Sequence, residues 1–177
     1  MLGNHDMDRI ADVVKDQDPR RVKLANTLLA TMRGIPQVFY GDEYAMKSAD
    51  RRLGHSTLRM PLPLGEAVTE EMQDMFDYQS RLFQWRKGEP VIHTGRTMHF
   101  MSRDNTYAFF RYNDSEAVFV FANASEENRT IPTTNYAEIL SKYNAVGQDV
   151  ITGKTYDLSR QDIVIPALTS IVVKLSK

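Results

Sequence analysis

The stretch "TYAFFRYNDSEAVFVFAN", Thr106 to Asn123, sets the architecture of this 177-residue chain. Two runs rich in aromatic and β-branched residues flank the turn sequence "NDSE", the pattern of a β-hairpin. Phe109, Phe110, Tyr112, Phe119 and Phe121 lie in these runs. Side chains alternate across a strand, so about half of these rings must enter a core.

The same texture extends outward from the hairpin. "RTMHFM" precedes it, and "NRTIPT", "QDVITG", "KTYDLS", "DIVIPA" and "TSIVVKLS" follow, separated by turn signals such as "SRDNT" and "TGKT". Short strands at this spacing predict an antiparallel β-sandwich. Working back toward the N-terminus, the period changes between Gly88 and Gly95, which divides the chain into residues 1–92 and 93–177.

Residues 1–92 read as helices and loops around one short apolar strand. Asp18-Pro19 forms an N-cap with proline at the first helical position. From there Val22, Ala25, Leu28, Leu29 and Met32 share one helical face, and Gly34 closes the helix. Ile35, Val38, Phe39 and Tyr40 suit a buried parallel strand, with Pro36 near its start. The segment from Tyr44 to Val68 is long, charged and broken by proline and glycine, as functional loops are. A second amphipathic helix covers 69–87, capped by Thr69 and carrying Glu70 and Glu71 at its positive end and Arg86 and Lys87 at its negative end. Met72, Met75, Phe76, Gln79, Leu82, Phe83 and Arg86 trace the helical spacing, mostly apolar, and with nearby Trp85 they read as packing.

Composition narrows the function. The chain is 42% hydrophobic and 25% charged, with a formal net charge of −1, so no broad attraction to nucleic acid or anionic membrane is expected. No apolar run approaches the roughly 20 residues of a membrane span. The absence of cysteine removes disulfides and thiolate metal sites. The first ten residues carry Asp6, Asp8 and Arg9 and do not read as a signal segment.

Chemistry concentrates at the opening, "MLGNHDMDRI". Behind a glycine, Asn4, His5 and Asp6 offer donors and a carboxylate aimed at one spot, able to bind sugar hydroxyls, ligate a metal or assist proton transfer. The same residues could instead simply satisfy a turn.

"MLGNHDMDR", followed about 30 residues later by "GIPQVFYGDE", then by the helix ending "QWRKGEP" and the closing strands, resembles the α-amylase family, glycoside hydrolase family 13. The resemblance implies that 1–92 are the last strands and helices of a (β/α)8 TIM barrel, with strand seven ending at the first motif and strand eight at the second. Residues 93–177 would be the C-terminal β-sandwich. By position, His5 resembles the family's substrate-binding histidine, and Asp6 its third carboxylate, which grips the distorted glucose and stabilises the transition state. Asn4 and Arg9 are expected at the substrate too, while Asp42 and Glu43 fall on the rim as structural or outer-shell groups. A retaining glycosidase also needs a nucleophile and an acid/base about 5–5.5 Å apart, which the family carries upstream, on strands four and five. The chain is therefore expected to be the C-terminal piece of a longer enzyme, to be inactive alone, and to self-associate through its unpaired barrel segment. Maltooligosaccharides, starch or cyclodextrins are the implied substrates. No cofactor is expected; calcium occurs in some members, but the sequence shows no cluster of oxygen ligands for it.

Two other readings compete. A metal-dependent phosphoesterase could use "GNHD" as ligands, but its earlier acidic motifs are missing and "GHST" at Gly54–Thr57 lacks a second histidine. A non-catalytic carbohydrate-binding or structural sandwich would need exposed aromatic rings in a line. His93 and His99 have no acid beside them in sequence and read as core or strand-surface groups. Asp50, Arg51, Arg52 and His55 lie on the long loop, within possible reach of a substrate but more in keeping with a solvated charged segment.

Overall fold

The structure, a computed structural model, describes residues 1–159 and 162–177, apart from the side chain of Arg51, which lies outside the described set. The chain forms two compact units, one of Met1–Ala30 with Ile35–Phe83 and one of Thr31–Gly34 with Gln84–Lys177.

In the first unit, a single turn α1 (Ile10–Val13) precedes α2 (Pro19–Thr31). Asp18 caps α2, its carboxylate accepting from the Arg20 N–H at 2.9 Å. The second long helix, α3 (Glu70–Lys87), is capped by the Thr69 hydroxyl, which accepts from the Met72 N–H at 3.2 Å.

The two helices meet through polar side chains. Gln79 donates to the Asn26 carbonyl oxygen at 3.0 Å, Thr27 and Tyr78 share a hydroxyl bond of 2.7 Å, and Lys23 pairs with Asp74 at 2.6 Å. Partners advance together along both helices, so these stretches run in the same direction. This corrects the expected face of α2: Val22 is buried, but Ala25, Leu28 and Leu29 are half-buried and Met32 is 39% exposed, while Asn26 and Thr27 are fully buried. A satisfied polar seam has replaced a purely apolar stripe, which costs little because each buried group keeps a partner.

The strand expected at Ile35–Tyr40 does not form. The segment is irregular, ends in a turn, and leaves Ile35 95% exposed. A strand needs a ladder partner for its N–H and C=O groups, and none of the described segments pairs with this one. The first unit thus presents helices and loops, without a barrel sheet.

The second unit is mostly antiparallel sheet. Its strands are β1 (Arg96–His99), β2 (Thr106–Tyr112), β3 (Glu116–Asn123), β4 (Arg129–Ile131), β5 (Val146–Asp149), β6 (Thr155–Asp157), β7 (Ile163–Ile165) and β8 (Thr169–Ser176). Six of them lie in the order β1-β2-β3-β8-β5-β6, and β4 pairs with β7 in a second sheet. The hairpin read from sequence is β2–β3, in register Phe110 to Phe119 and Ala108 to Phe121. On one face Phe110, Phe119, Phe121, Ile171 and Val173 meet Ile131, Ile163 and Ile165 from the smaller sheet and Ile139 and Leu140 from the short helix α5 (Ala137–Leu140), which sequence periodicity did not reveal. The other face, with Phe109, Val118, Val120 and Val172, is buried as well. The short helix α4 (Pro90–Thr94) lies against β2 and β3 there.

One strand is displaced from its expected place. "QDVITG" predicts a strand over 148–153, whereas β5 ends at Asp149 and a turn follows. Asp149 organises that turn, its carboxylate accepting from the Thr152 N–H at 3.0 Å, and Gly153 takes a positive φ of 76°. Gly147 lets β5 approach β8, since a Cβ there would stand 2.1 Å from the Lys174 carbonyl oxygen.

Candidate active-site segment

The segment Gly3–Arg9 is a tight loop leading into α1. Asn4 shapes it by accepting from the Asp6 N–H at 2.8 Å, a local turn that a short amide side chain favours. The turn projects His5 and Asp6 together into solvent. Their side chains are 61% and 66% exposed, and His5 Nε2 lies 3.0 Å from Asp6 Oδ2. Arg59 Nη2 stands 4.0 Å from the other carboxylate oxygen. The result is an imidazole and a carboxylate side by side with most of their polar surface open, an arrangement suited to hydroxyl groups.

Arg9 behaves differently from the expectation that it would touch substrate. It is 0% exposed, and its guanidinium donates to the carbonyls of Tyr40 at 2.9 Å and Leu58 at 2.6 Å, and to Asp42 Oδ1 at 3.3 Å. The Phe39 ring lies 4.8 Å from the guanidinium carbon. Arg9 therefore ties the His5–Asp6 loop to the "GDE" turn and, at Leu58, to the long loop. Gly41 makes the turn possible, with φ 88° and no room for a Cβ, which would lie 2.4 Å from the Met46 sulfur and 3.1 Å from Arg9 Nη1. Glu43 closes the turn by accepting from the Gly41 N–H at 2.7 Å. Asp12, not singled out from sequence, accepts from the Ser48 N–H at 2.9 Å and hydroxyl at 2.7 Å.

Asp42 is only 3% exposed, and burial pushes its carboxyl up to about 6, against the opposing pull of Arg9. A folded aspartate that holds its proton above the unfolded value of about 3.9 favours the fold most at low pH. Its contribution falls as pH rises from about 4 to about 6 and is then constant. The stability of the wild-type chain relative to Asp42→Asn should accordingly drop by about 2 kcal/mol between pH 4 and 7. Urea unfolding of both proteins across that range measures it, and parallel pH profiles would contradict the assignment.

Of the other loop residues, Asp50 and Arg52 pair with each other at 2.8 Å and His55 is exposed. Among the described residues, no three His, Cys, Asp or Glu side chains gather as a metal-binding set. Phe109, Phe110, Phe119 and Phe121 are all buried, more than the alternating half expected, because both faces of the large sheet are covered. They offer no line of rings for sugar stacking.

Residues 97–174 match the family model described as the cyclo-malto-dextrinase C-terminal domain. A 4-alpha-glucanotransferase of Thermotoga maritima is 27% identical over 150 residues, covering 70% of this chain and 34% of that protein. An alpha-amylase of Streptomyces lividans is 28% identical over 204 aligned positions, covering 98% of this chain and 22% of that protein. The chain thus spans about a third or less of the length of these relatives. The crystal structure of the alpha-amylase from Geobacillus thermoleovorans, complexed with acarbose, superposes with a TM-score of 0.73 at 21% identity, over 99% of this chain and 38% of that one. The family model and the relatives agree, and this chain is related to the C-terminal segment of the α-amylase family, glycoside hydrolase family 13.

Proposed function

We propose that this chain forms the closing part of an α-glucan-active enzyme, contributing His5 and Asp6 to the active site and residues 93–177 as its C-terminal β-domain. The observation that carries the reading is the open His5–Asp6 pair, 3.0 Å apart, on a loop locked from behind by fully buried Arg9. Asp6 would grip hydroxyls of a distorted glucose and stabilise positive charge in the transition state. His5 and Asn4 would orient the ring, and Arg9 would act as a positioning residue.

Residues 1–92 would supply the last elements of a (β/α)8 barrel. Same-direction α2 and α3, joined by a long connection, are what two consecutive barrel helices require. Exposed Ile35, Val38 and Leu64 are the apolar surface that such a segment would offer to the remaining strands, or to a second copy of itself. A retaining mechanism would draw its nucleophile and acid/base from other strands, so the chain by itself should leave glucans intact. The sugar complex of the structural relative, the alpha-amylase solved with acarbose, supports a glucan ligand.

The test is made in the enzyme that carries this segment. Asp6→Asn should lower kcat on maltoheptaose about a hundredfold or more, the scale on which a lost electrostatic stabiliser acts. His5→Ala should act mainly on KM. Unchanged kcat in Asp6→Asn would overturn the reading, as would glucan turnover by the isolated chain.

A further inference from the structure

The second unit contains a positively charged cavity that the glucan reading does not use. It has a volume of about 330 Å³ and is bounded by Met32, Arg33, Thr97, His99 and Phe109, together with Gly95 and Arg96 at the start of β1. Thr97 and His99 sit opposite Arg111 and Phe109 in the β1–β2 register, so all four occupy one face of the sheet.

Behind this cavity lies an unusual buried charge. Arg111 is 0% exposed and donates to the Ile92 carbonyl at 2.8 Å and to the Thr97 hydroxyl oxygen. Its Nε has no partner, and among the described residues no carboxylate pairs with it. Burial, then the nearby guanidiniums of Arg33 and Arg86, weaken its hold on its proton. Arg86 in turn donates to the Gly34 carbonyl at 2.7 Å, which fixes the backbone next to Arg33. Arg111 is thus a buried guanidinium without a carboxylate partner among the described residues, with the exposed Arg33 close by, although buried charges are normally paired. Three acids of the unit are engaged elsewhere: Glu89 and Glu116 hold Lys174, and Asp114 holds Arg96.

The cavity also carries aimed donors. Because the Thr97 oxygen accepts from Arg111, its own hydrogen remains available to donate. His99 Nδ1 bonds the Tyr107 hydroxyl; with Tyr107 donating, the ring proton resides on Nε2 and becomes a second donor. Arg33 is exposed and free to turn its planar fork inward. Met32 and Phe109 give the cavity an apolar wall.

We infer that this cavity binds a phosphate group, free or as the monoester of a small molecule, through Arg33, Thr97 and His99, with Arg111 supplying buried positive charge behind them. A volume of about 330 Å³ exceeds what a bare anion needs and sits at the lower end of small-ligand sites. The inference is independent of the glucan reading and stands or falls separately from it.

Calorimetric titration of the full chain with inorganic phosphate and with glucose 6-phosphate, using maltose as the uncharged control, tests it. Saturable binding of one or both phosphates, absent with maltose, is expected. Equal affinity for the two identifies the free anion as sufficient, whereas tighter binding of the ester shows that the apolar wall contributes. Arg33→Gln and His99→Gln, both on exposed side chains and checked for native circular dichroism, should each weaken binding, Arg33→Gln by about tenfold or more. The absence of saturable phosphate binding, or wild-type affinity in both variants, would overturn the inference.

Discussion

Replacing Arg9 with alanine should destabilise the first unit by about 3–5 kcal/mol at neutral pH, the scale of leaving one partner of a buried ion pair alone. Three acceptors lose their donor at once: the carbonyls of Tyr40 and Leu58 and the carboxylate of Asp42. Burial already holds the Asp42 carboxyl near 6 in the presence of Arg9. Without the guanidinium, Asp42 loses the attraction that favours its charged form, and it must take up a proton or remain charged and unpaired. The penalty should therefore grow as the pH rises from about 6 toward the higher value at which Asp42 titrates in the variant, and level off below 6, a dependence that simple loss of side-chain volume does not give. Hydrogen exchange of the backbone amides around Gly41 and Leu58 is the appropriate measurement, because it reports local opening. A cost below 1 kcal/mol, or one independent of pH, would show that Arg9 is not the fastener of this loop. The expected consequence for function is indirect: His5 and Asp6 keep their chemistry but lose a fixed mutual position.

The different legibility of the two units follows from what each uses to hold itself together. In the second, strands such as β3 and β8 announce themselves because β-branched and aromatic runs bounded by turns have few other uses. Even there, "QDVITG" misled, since Val150 and Ile151 look like strand residues while Asp149 and Gly153 make a turn of them. The first unit depends on partners distant in sequence. Ile35–Tyr40 has the composition of a strand, but composition supplies no neighbour to bond with. Asn26 and Thr27 look like the polar side of α2 until Gln79 and Tyr78 are brought against them. The candidate site divides in the same way. The open pair His5–Asp6 is legible as a motif, because adjacent residues fix its chemistry. The inward direction of Arg9 is not, since its acceptors lie 31, 33 and 49 residues away. The glycine of "GDE" was the available signal, as a tight positive-φ turn is where another part of the chain can approach closely.

The other large effect is expected at Phe119. Phe119→Ala should destabilise the second unit by about 3–5 kcal/mol, the range for deleting a buried aromatic ring. Phe119 is 1% exposed and sits on β3, between Phe110 of β2 and Val173 of β8. Its ring centroid is 4.7 Å from that of Phe110 and 5.1 Å from that of Tyr136. A cavity opened there is difficult to close. The neighbouring strands are held at their spacing by backbone hydrogen bonds on both sides, and the covering residues Ile163 and Ile165 belong to a sheet of their own. Collapse would have to break a ladder, so the lost contacts should remain lost. Denaturant unfolding followed by the fluorescence of Trp85, the single tryptophan and a member of the same unit, reads the change as a lower midpoint with an unaltered slope. Phe119→Leu should recover more than half of the loss, because it restores most of the volume without the ring contacts. If the alanine and leucine variants were equally destabilised, the aromatic contacts with Phe110 and Tyr136 would outweigh volume; if neither lost 1 kcal/mol, this core would be plastic enough to refill itself.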